Sequence, residues 1–360
     1  MTDTTAYAAL GDRVLVVRGD APDSTADGDD PVTAGEWTAA ERLAGRDFQC
    51  VAASPERPDR AFVGTVESGI HRTGDGGDTW ERVAPGIDDR VTSLAVSPHD
   101  PDTVWAGTEP SAVYRSTDGG DSWEALAPLT ALPSESEWSF PPRPHTHHVR
   151  WLEPDPHDPE RLYVAIEAGA LVRTDDALGA AAAEGADGAD FWRDRPEGAR
   201  YDNHTLATHP DAEGRLYTAA GDGYAQSEDG GDTWAYPTDG LDHGYVWGLA
   251  VPRADPDTVV VSAASGARSA HSVSTAEAYV YRTANAGRDE PTEWHLAMDG
   301  LPEPEGTVRS VFAAAGGSVL FALNNRGCYR SADTGASWEE LPLAWPDAYE
   351  SRTPRGLAVV

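Results

Sequence analysis

The stretch Ser116–Trp123 reads "STDGGDSW". Two aspartates flank a glycine pair, an arrangement that could cradle an ion or form a tight turn. Its recurrence decides between them. "TGDGGDTW" covers Thr73–Trp80, "SEDGGDTW" covers Ser227–Trp234 and "SADTGASW" covers Ser331–Trp338. Degenerate copies run from Arg173 to Trp192 and from Arg282 to Trp294. Successive tryptophans are 43 residues apart from Trp80 to Trp123, 42 from Trp192 to Trp234 and 44 from Trp294 to Trp338. A fixed period of this size is the signature of a propeller or a solenoid.

The third repeat, "RVTSLAVSPHDPDTVWAGTEPSAVYRSTDGGDSWEAL", shows the internal order. An apolar strand enters a Pro/Asp turn, "TVWAGT" returns, "AVYRS" meets the Gly-rich turn, and a fourth strand starts at the tryptophan. Four short strands per repeat, without helical periodicity, make one propeller blade. Aligned on the Pro/Asp turns, the first strands share an aliphatic column of Val51, Leu94, Leu152, Leu206, Leu249, Val311 and Leu357. The chain ends one strand into the last repeat, and its N-terminus supplies the missing strands in "TAYAAL", "DRVLVVRG" and "EWTAAERL". The predicted fold is therefore all-β, a seven-bladed β-propeller occupying residues 1–360 as one domain. Blade one combines residues 1 to about 45 with 353–360, so the C-terminal strand closes the ring and removes free edges.

Composition bounds the function. Of 360 residues 61 are acidic and 27 basic, a formal charge of −34, and lysine is absent. The acids are scattered along the chain. Such a composition is of the haloarchaeal type and fits molar salt, where a Debye length of about 3 Å screens carboxylate repulsion. No basic footprint suits nucleic acid, and no run approaches the roughly 18 apolar residues of a membrane span. Cys50 and Cys328 are too few for a disulfide scaffold, and the N-terminus lacks the pattern of a secretion signal. A cytoplasmic monomer is the expectation.

The Ser/Thr-x-Asp-x-Gly-x-Ser/Thr-Trp pattern resembles the Asp-box, or BNR repeat, of propellers in sialidases and related glycosidases, sortilin-type receptors and photosystem II assembly factors. The resemblance implies a propeller whose activity ranges from hydrolysis to binding. The Arg-Ile-Pro motif and six blades expected of a sialidase are not found. In the turn itself, Gly119 or Gly120 supplies positive φ, while Ser116 and Asp118 bond the turn's own backbone. The further oxygen ligands of a calcium loop are missing, so the stretch is a structural turn.

Function is then sought on the opposite face, where the first strands enter the channel. Two residues before the aliphatic column lies a ring of Gln49, Thr92, Arg150, His204, Trp247, Arg309 and Arg355. Two earlier lies a second ring of Asp47, Arg90, His148, Asp202, Tyr245, Thr307 and Thr353, expected to share a strand face with the first. The intervening column from Phe48 to Pro354 should pack between blades. The loops between second and third strands bring Glu67, Glu109, Glu167, Asp222, Arg268, His271 and Asn325 to the same mouth.

Three arginines at equivalent positions favour a carboxylate, sulfate or phosphate ligand. His148, His204, Glu167 and Asp202 are candidates for proton transfer or for holding a divalent metal. Arg150, Arg309, Arg355, Tyr245, Trp247, His147 and His271 are candidates for ligand binding, with Tyr245 and Trp247 stacking on a sugar ring. Three functions fit: a propeller that binds an anionic or carbohydrate-like small molecule or a partner's loop; a glycoside hydrolase or uronate-type lyase; and an assembly scaffold with no small-molecule site. His99, His157 and His209, in first turns on the far face, are expected to be solvated. Insertions at Pro128–Thr146, Gly179–Asp190 and Ser265–Ala278 interrupt the period.

Overall fold

In a computed structural model, residues 2–21, 36–140, 143, 145–179, 187–287 and 291–360 are described. Most of the second insertion, residues 180–186, lies outside them. The strands form seven antiparallel sheets arranged as the blades of a propeller. The innermost strands are Phe48–Ala53, Arg90–Val96, Val149–Pro154, Asn203–Thr208, Tyr245–Ala250, Val311–Ala314 and Gly356–Val359. The last of these pairs with Thr2–Ala9, in the register Ala6 to Val359 and Ala9 to Gly356, which closes blade one. Blade five has three strands, and its fourth is reduced to a bridge between Gln226 and Ala235. No helix among the described residues is long and apolar enough to cross a membrane.

The second strands are buried along their whole length in blades two to seven, because each is covered by both neighbouring blades. Val63, Val104, Val164, Tyr217, Val260 and Phe321 are fully buried there. β-Branched and aromatic side chains suit these doubly covered strands.

The four Asp-box turns share one set of bonds. Thr73, Ser116, Ser227 and Ser331 each donate a hydroxyl to the box aspartate at 2.8 Å and accept from the N–H of Gly77, Gly120, Gly231 or Gly335. The aspartate's other oxygen accepts the hydroxyl of Thr79, Ser122, Thr233 or Ser337. These bonds hold the Asp75 and Asp118 carboxyls down at about 2. A carboxylate so fully committed to its own turn has no oxygen free for a cation. Both glycines of the pair take positive φ, 71° at Gly119 and 92° at Gly120. The second is confined further, since a Cβ on Gly120 would lie 2.8 Å from the Phe62 ring of the preceding blade.

The turn also binds that preceding blade, a role not predicted. In blades one to four and six, an arginine just before the turn reaches forward to the carbonyl of the first residue of the central pair, or its counterpart, in the next blade's turn. Arg18 bonds Gly76 O, Arg72 bonds Gly119 O, Arg115 bonds Ala177 O and Arg173 bonds Gly230 O, each at 2.7 Å. Arg282 bonds Thr334 O at 2.9 Å, and from blade five Arg215 reaches Ala286 O at 3.1 Å. Six consecutive blade junctions are thus stapled by a guanidinium on a turn carbonyl, five from the position before the turn and one from Arg215, just ahead of its blade's second strand. The far-face histidines add a second staple; His99 and His157 are exposed as expected, and buried His209 corrects the expectation of solvation. His99 bonds Asp155 O at 2.9 Å, His157 bonds His209 O at 3.2 Å, and buried His209 bonds Pro252 O at 3.1 Å.

These staples set testable stabilities. Arg115 is buried, so Arg115→Ala should lower stability by about 2 kcal/mol, the usual worth of a charge-assisted hydrogen bond, whereas Arg82→Ala on the surface should change little. Gly120→Ala should cost at least about 1 kcal/mol from backbone strain and overpacking. Thermal unfolding of the three variants in one buffer checks the order.

Candidate functional site

The first ring is positioned by an irregularity that period-2 reasoning does not contain. In blades two to six the pairing register shifts where the ring residue sits: at Gln49, Thr92, Arg150, His204 and Trp247. Each is the extra residue of a β-bulge, released from the ladder and re-aimed. The two rings are therefore not joined by the simple alternation expected. The intervening column behaves as predicted: Phe48, Val91, Val149, Asn203, Val246 and Val308 are fully buried. Arg309 and Arg355 stand just ahead of their strands, tied by N–H bonds to Ala270 O at 2.9 Å and Ala9 O at 2.8 Å.

Three of the predicted ligand-binding residues meet at Trp247, which is 6% exposed. The guanidinium carbons of Arg150 and Arg309 lie 4.7 and 4.6 Å from its ring centre. The His204 ring is 4.0 Å away and the His271 ring meets it edge-on at 4.2 Å. Trp247 is accordingly occupied by protein groups and is not free to stack on a sugar, which corrects that expectation.

Arg309 is fully buried, and its Nη1 and Nη2 have no hydrogen-bond partner among the described residues. Burial, and then the charges of Arg150 and Arg355, press its pKa well below the ordinary arginine value. Arg150 is lowered as well, by burial first, although Glu167 opposes the shift. Arg355 is exposed and has no ion pair among the described residues. In a chain with 61 acids, this trio is conspicuously short of counter-charge.

His271 comes from the blade-six insertion, on the short helix Ala267–His271. Arg309 Nε donates to its Nδ1 at 3.3 Å, so that nitrogen carries a lone pair. Its Nε2–H is then the donor to Tyr245 Oη at 3.0 Å, which frees the tyrosine hydroxyl hydrogen for another acceptor. Burial, followed by the charge of Arg309, drives the imidazole pKa down to about 2, so His271 is neutral.

A second group forms at the junction of blades four and five. The tight connection between Leu162–Ile166 and Ala170–Thr174 carries Glu167. Ala168, at a φ of 47°, turns its N–H onto Asp202 Oδ1 at 3.0 Å, locking the hairpin to the entry of blade five. His148 Nε2 lies 3.2 Å and Arg150 Nε 3.7 Å from Glu167 Oε2. Burial alone would raise the Glu167 carboxyl, but the His148 hydrogen bond and the nearby charges outweigh it and bring it to about 2. His204 is fully buried, its Nδ1 2.8 Å from Val246 O and its Nε2 3.6 Å from Asp202 Oδ2.

Other predicted positions do not join these groups. His147 turns away into the first insertion, where its ring meets Trp138 at 5.4 Å and its Nε2 is 3.6 Å from Glu135. It anchors that insertion and does not face a ligand. Glu109 is taken by Arg143 and Arg90, Asp222 lies near Arg200, and buried Asn325 bonds Val308, Gly306 and Glu350. Glu67 and Arg268 are exposed.

Beneath the ring the channel holds a cavity of about 400 Å³. Arg150, Arg355, Thr92 and Trp247 line its polar end, and Leu94, Leu152, Leu206 and Leu249 are among its apolar walls. It extends to the turns at Pro98, Pro156 and Pro210 on the Asp-box face. Its wall includes Glu153, which the sequence reading passed over. That carboxylate accepts from Trp151 Nε1, Thr208 N and Thr208 Oγ1, yet burial pushes it up to about 7. The signal was an acid between Leu152 and Pro154 on a channel strand.

No protein-family model and no curated protein matches the sequence. Fold and turns together define a seven-bladed β-propeller. Its solved structural neighbours include an ancestral GH74 enzyme, with a TM-score of 0.58, 15% identity, and coverage of 81% of this chain and 38% of the other. The GH74 enzyme of Niastella koreensis gives 0.52, 15%, 97% and 57% for the same quantities. A structure of YCF48 bound to D1 peptide gives 0.53, 17%, 82% and 82%. The chain thus spans well under two thirds of either GH74 enzyme, and the likeness is one of fold.

Glu153 yields a pH test. Its folded pKa is raised from 4.5 to about 7, so the native state holds the proton more tightly and loses stability as pH rises across that window. Glu153→Gln should therefore be no more stable than the parent below pH 4.5, gain relative stability as pH rises to about 7, and keep that gain above it, as read by parallel melts.

Proposed function

We propose that this propeller binds a carboxylate-bearing, carbohydrate-like small ligand, with the anionic group at Arg150, Arg309 and Arg355 and the body in the channel cavity. The observation that carries this reading is Arg309, a fully buried guanidinium with two unpartnered nitrogens beside two more arginines. Burying a charge unpaired is costly, and an anion recovers that cost through bidentate, charge-assisted bonds. The cavity's volume lies within the usual range for small-ligand sites. Structural neighbours that include GH74 enzymes and a peptide-bound YCF48 are consistent with a propeller serving as a ligand platform.

A lyase or hydrolase is the second reading, favoured by one observation. Tyr245 Oη accepts from His271 Nε2–H and so keeps its own hydrogen to donate, next to an arginine trio able to neutralise a substrate carboxylate.

Two variants test the binding reading. Arg355 is exposed, so Arg355→Ala should fold normally and lose most of the thermal stabilisation that acidic sugars or small carboxylates give the parent protein. Arg309→Met should melt at or above the parent temperature without ligand, since it removes an uncompensated buried charge, and should lose the ligand response. A marked fall in the Arg309→Met melting temperature, with the ligand response intact, would make the trio a blade-packing device. Loss of uronate turnover in Tyr245→Phe, with binding kept, would establish the second reading.

A further inference from the structure

The junction of blades four and five holds three lone-pair atoms that no hydrogen bond among the described residues uses. The bonds made to Asp202 and the close contacts of Glu167 fall on Oδ1 and Oε2, leaving Asp202 Oδ2 and Glu167 Oε1 without a hydrogen bond among the described residues. His204 is fully buried, and its Nε2 likewise has no hydrogen-bond partner. Its Nδ1 faces the Val246 carbonyl at 2.8 Å, and a carbonyl only accepts, so the proton sits on Nδ1. In the neutral ring Nε2 therefore presents a lone pair, and that lone pair is directed at carboxylates. Lone pair facing carboxylate is repulsive unless a cation stands between them.

The ligand atoms of Glu167, Asp202 and His204 lie within 4.8 Å of one another, the span of atoms sharing one metal ion. We propose that Glu167, Asp202 and His204 Nε2 bind a divalent first-row cation, Mn²⁺ or Zn²⁺, with further positions open to a ligand. One imidazole with two carboxylates suits these ions better than the all-oxygen preference of Mg²⁺ or Ca²⁺. The outer shell is in place: Val246 O orients the histidine and Ala168 N holds Asp202, the pattern that tunes metal-binding side chains. His148 and Arg150 stand on the Oε2 side of Glu167, and two carboxylates leave net negative charge for the ion.

This site shares Arg150's neighbourhood with the proposed anion site but does not depend on that reading. The full-length protein, stripped with EDTA and dialysed, is titrated with MnCl₂ and ZnCl₂ by calorimetry and thermal shift. Saturable one-to-one binding is expected, with nitrogen coupling in the pulsed EPR spectrum of bound Mn²⁺. His204→Ala should abolish the nitrogen coupling, and both Asp202→Asn and Glu167→Gln should weaken binding at least about tenfold. Asp202 is partly exposed, so Asp202→Asn is the variant expected to keep its fold. Arg355→Ala should bind metal normally, which separates a failure here from a failure of the anion reading. Absence of stoichiometric binding at millimolar metal, or equal binding in parent and Asp202→Asn, overturns the site in favour of scattered surface carboxylates. A His204 doubly protonated in the metal-treated protein, seen by nitrogen-15 NMR, overturns it in favour of an imidazolium–Asp202 pair.

Discussion

The interaction on which this molecule depends is the bond from one blade's arginine to the next blade's Asp-box carbonyl. A β-sheet blade cannot bury both faces by itself, and the propeller solves this by packing each blade against its neighbours. Apolar packing alone is tolerant of sliding. The arginine staple is directional, because a planar guanidinium must meet a carbonyl that a rigid turn presents at a fixed place. Arg72 shows the economy of the device: it takes Gly119 O and Asp121 of the next blade and Glu81 of its own. The box aspartate freezes the turn, the glycine pair lets the neighbouring side chain approach, and the exposed carbonyl receives the charge.

This device also sorts the arginines. In a lysine-free chain every lasting positive side-chain charge is a guanidinium, and most of those near the Asp-box face are committed to junctions. Arg18, Arg72, Arg115, Arg173, Arg215 and Arg282 all end on backbone carbonyls. Arg150, Arg309 and Arg355 differ in kind. They gather at the channel with aromatic rings and one close carboxylate, Glu167, in place of carbonyl partners. A structural role that gives six arginines a carbonyl partner makes three that have none among the described residues informative.

The two halves of the candidate site rest on local departures from regular structure. Bulges at Arg150, His204 and Trp247 release these residues from pairing, and a left-handed Ala168 carries Glu167 to blade five. The histidines illustrate how neighbours assign roles within one residue type. His271 is held neutral by burial and then by the charge of Arg309, the Val246 carbonyl directs the ring of His204, and His147 is spent on holding an insertion.

The repeat alone determined the blade count, the strand order and the closing of blade one by Gly356–Val359, because a recurring turn is a ruler along the chain. It also placed Arg150, His204, Trp247 and Arg309 on one ring, since equivalent positions in repeated strands occupy equivalent places. What it could not determine was partnership. The arginine before each box was visible at Arg72 and Arg115, yet its carbonyl acceptor lies about one repeat further on and in another sheet. Whether Trp247 would stack on a sugar or on guanidiniums, and whether His147 would face the channel, turned on bulges and insertions that have no sequence period. Side-chain chemistry was written in the residues, and only the closed ring, which sets each blade's face against the next, decided which groups are satisfied and which are left free to bind.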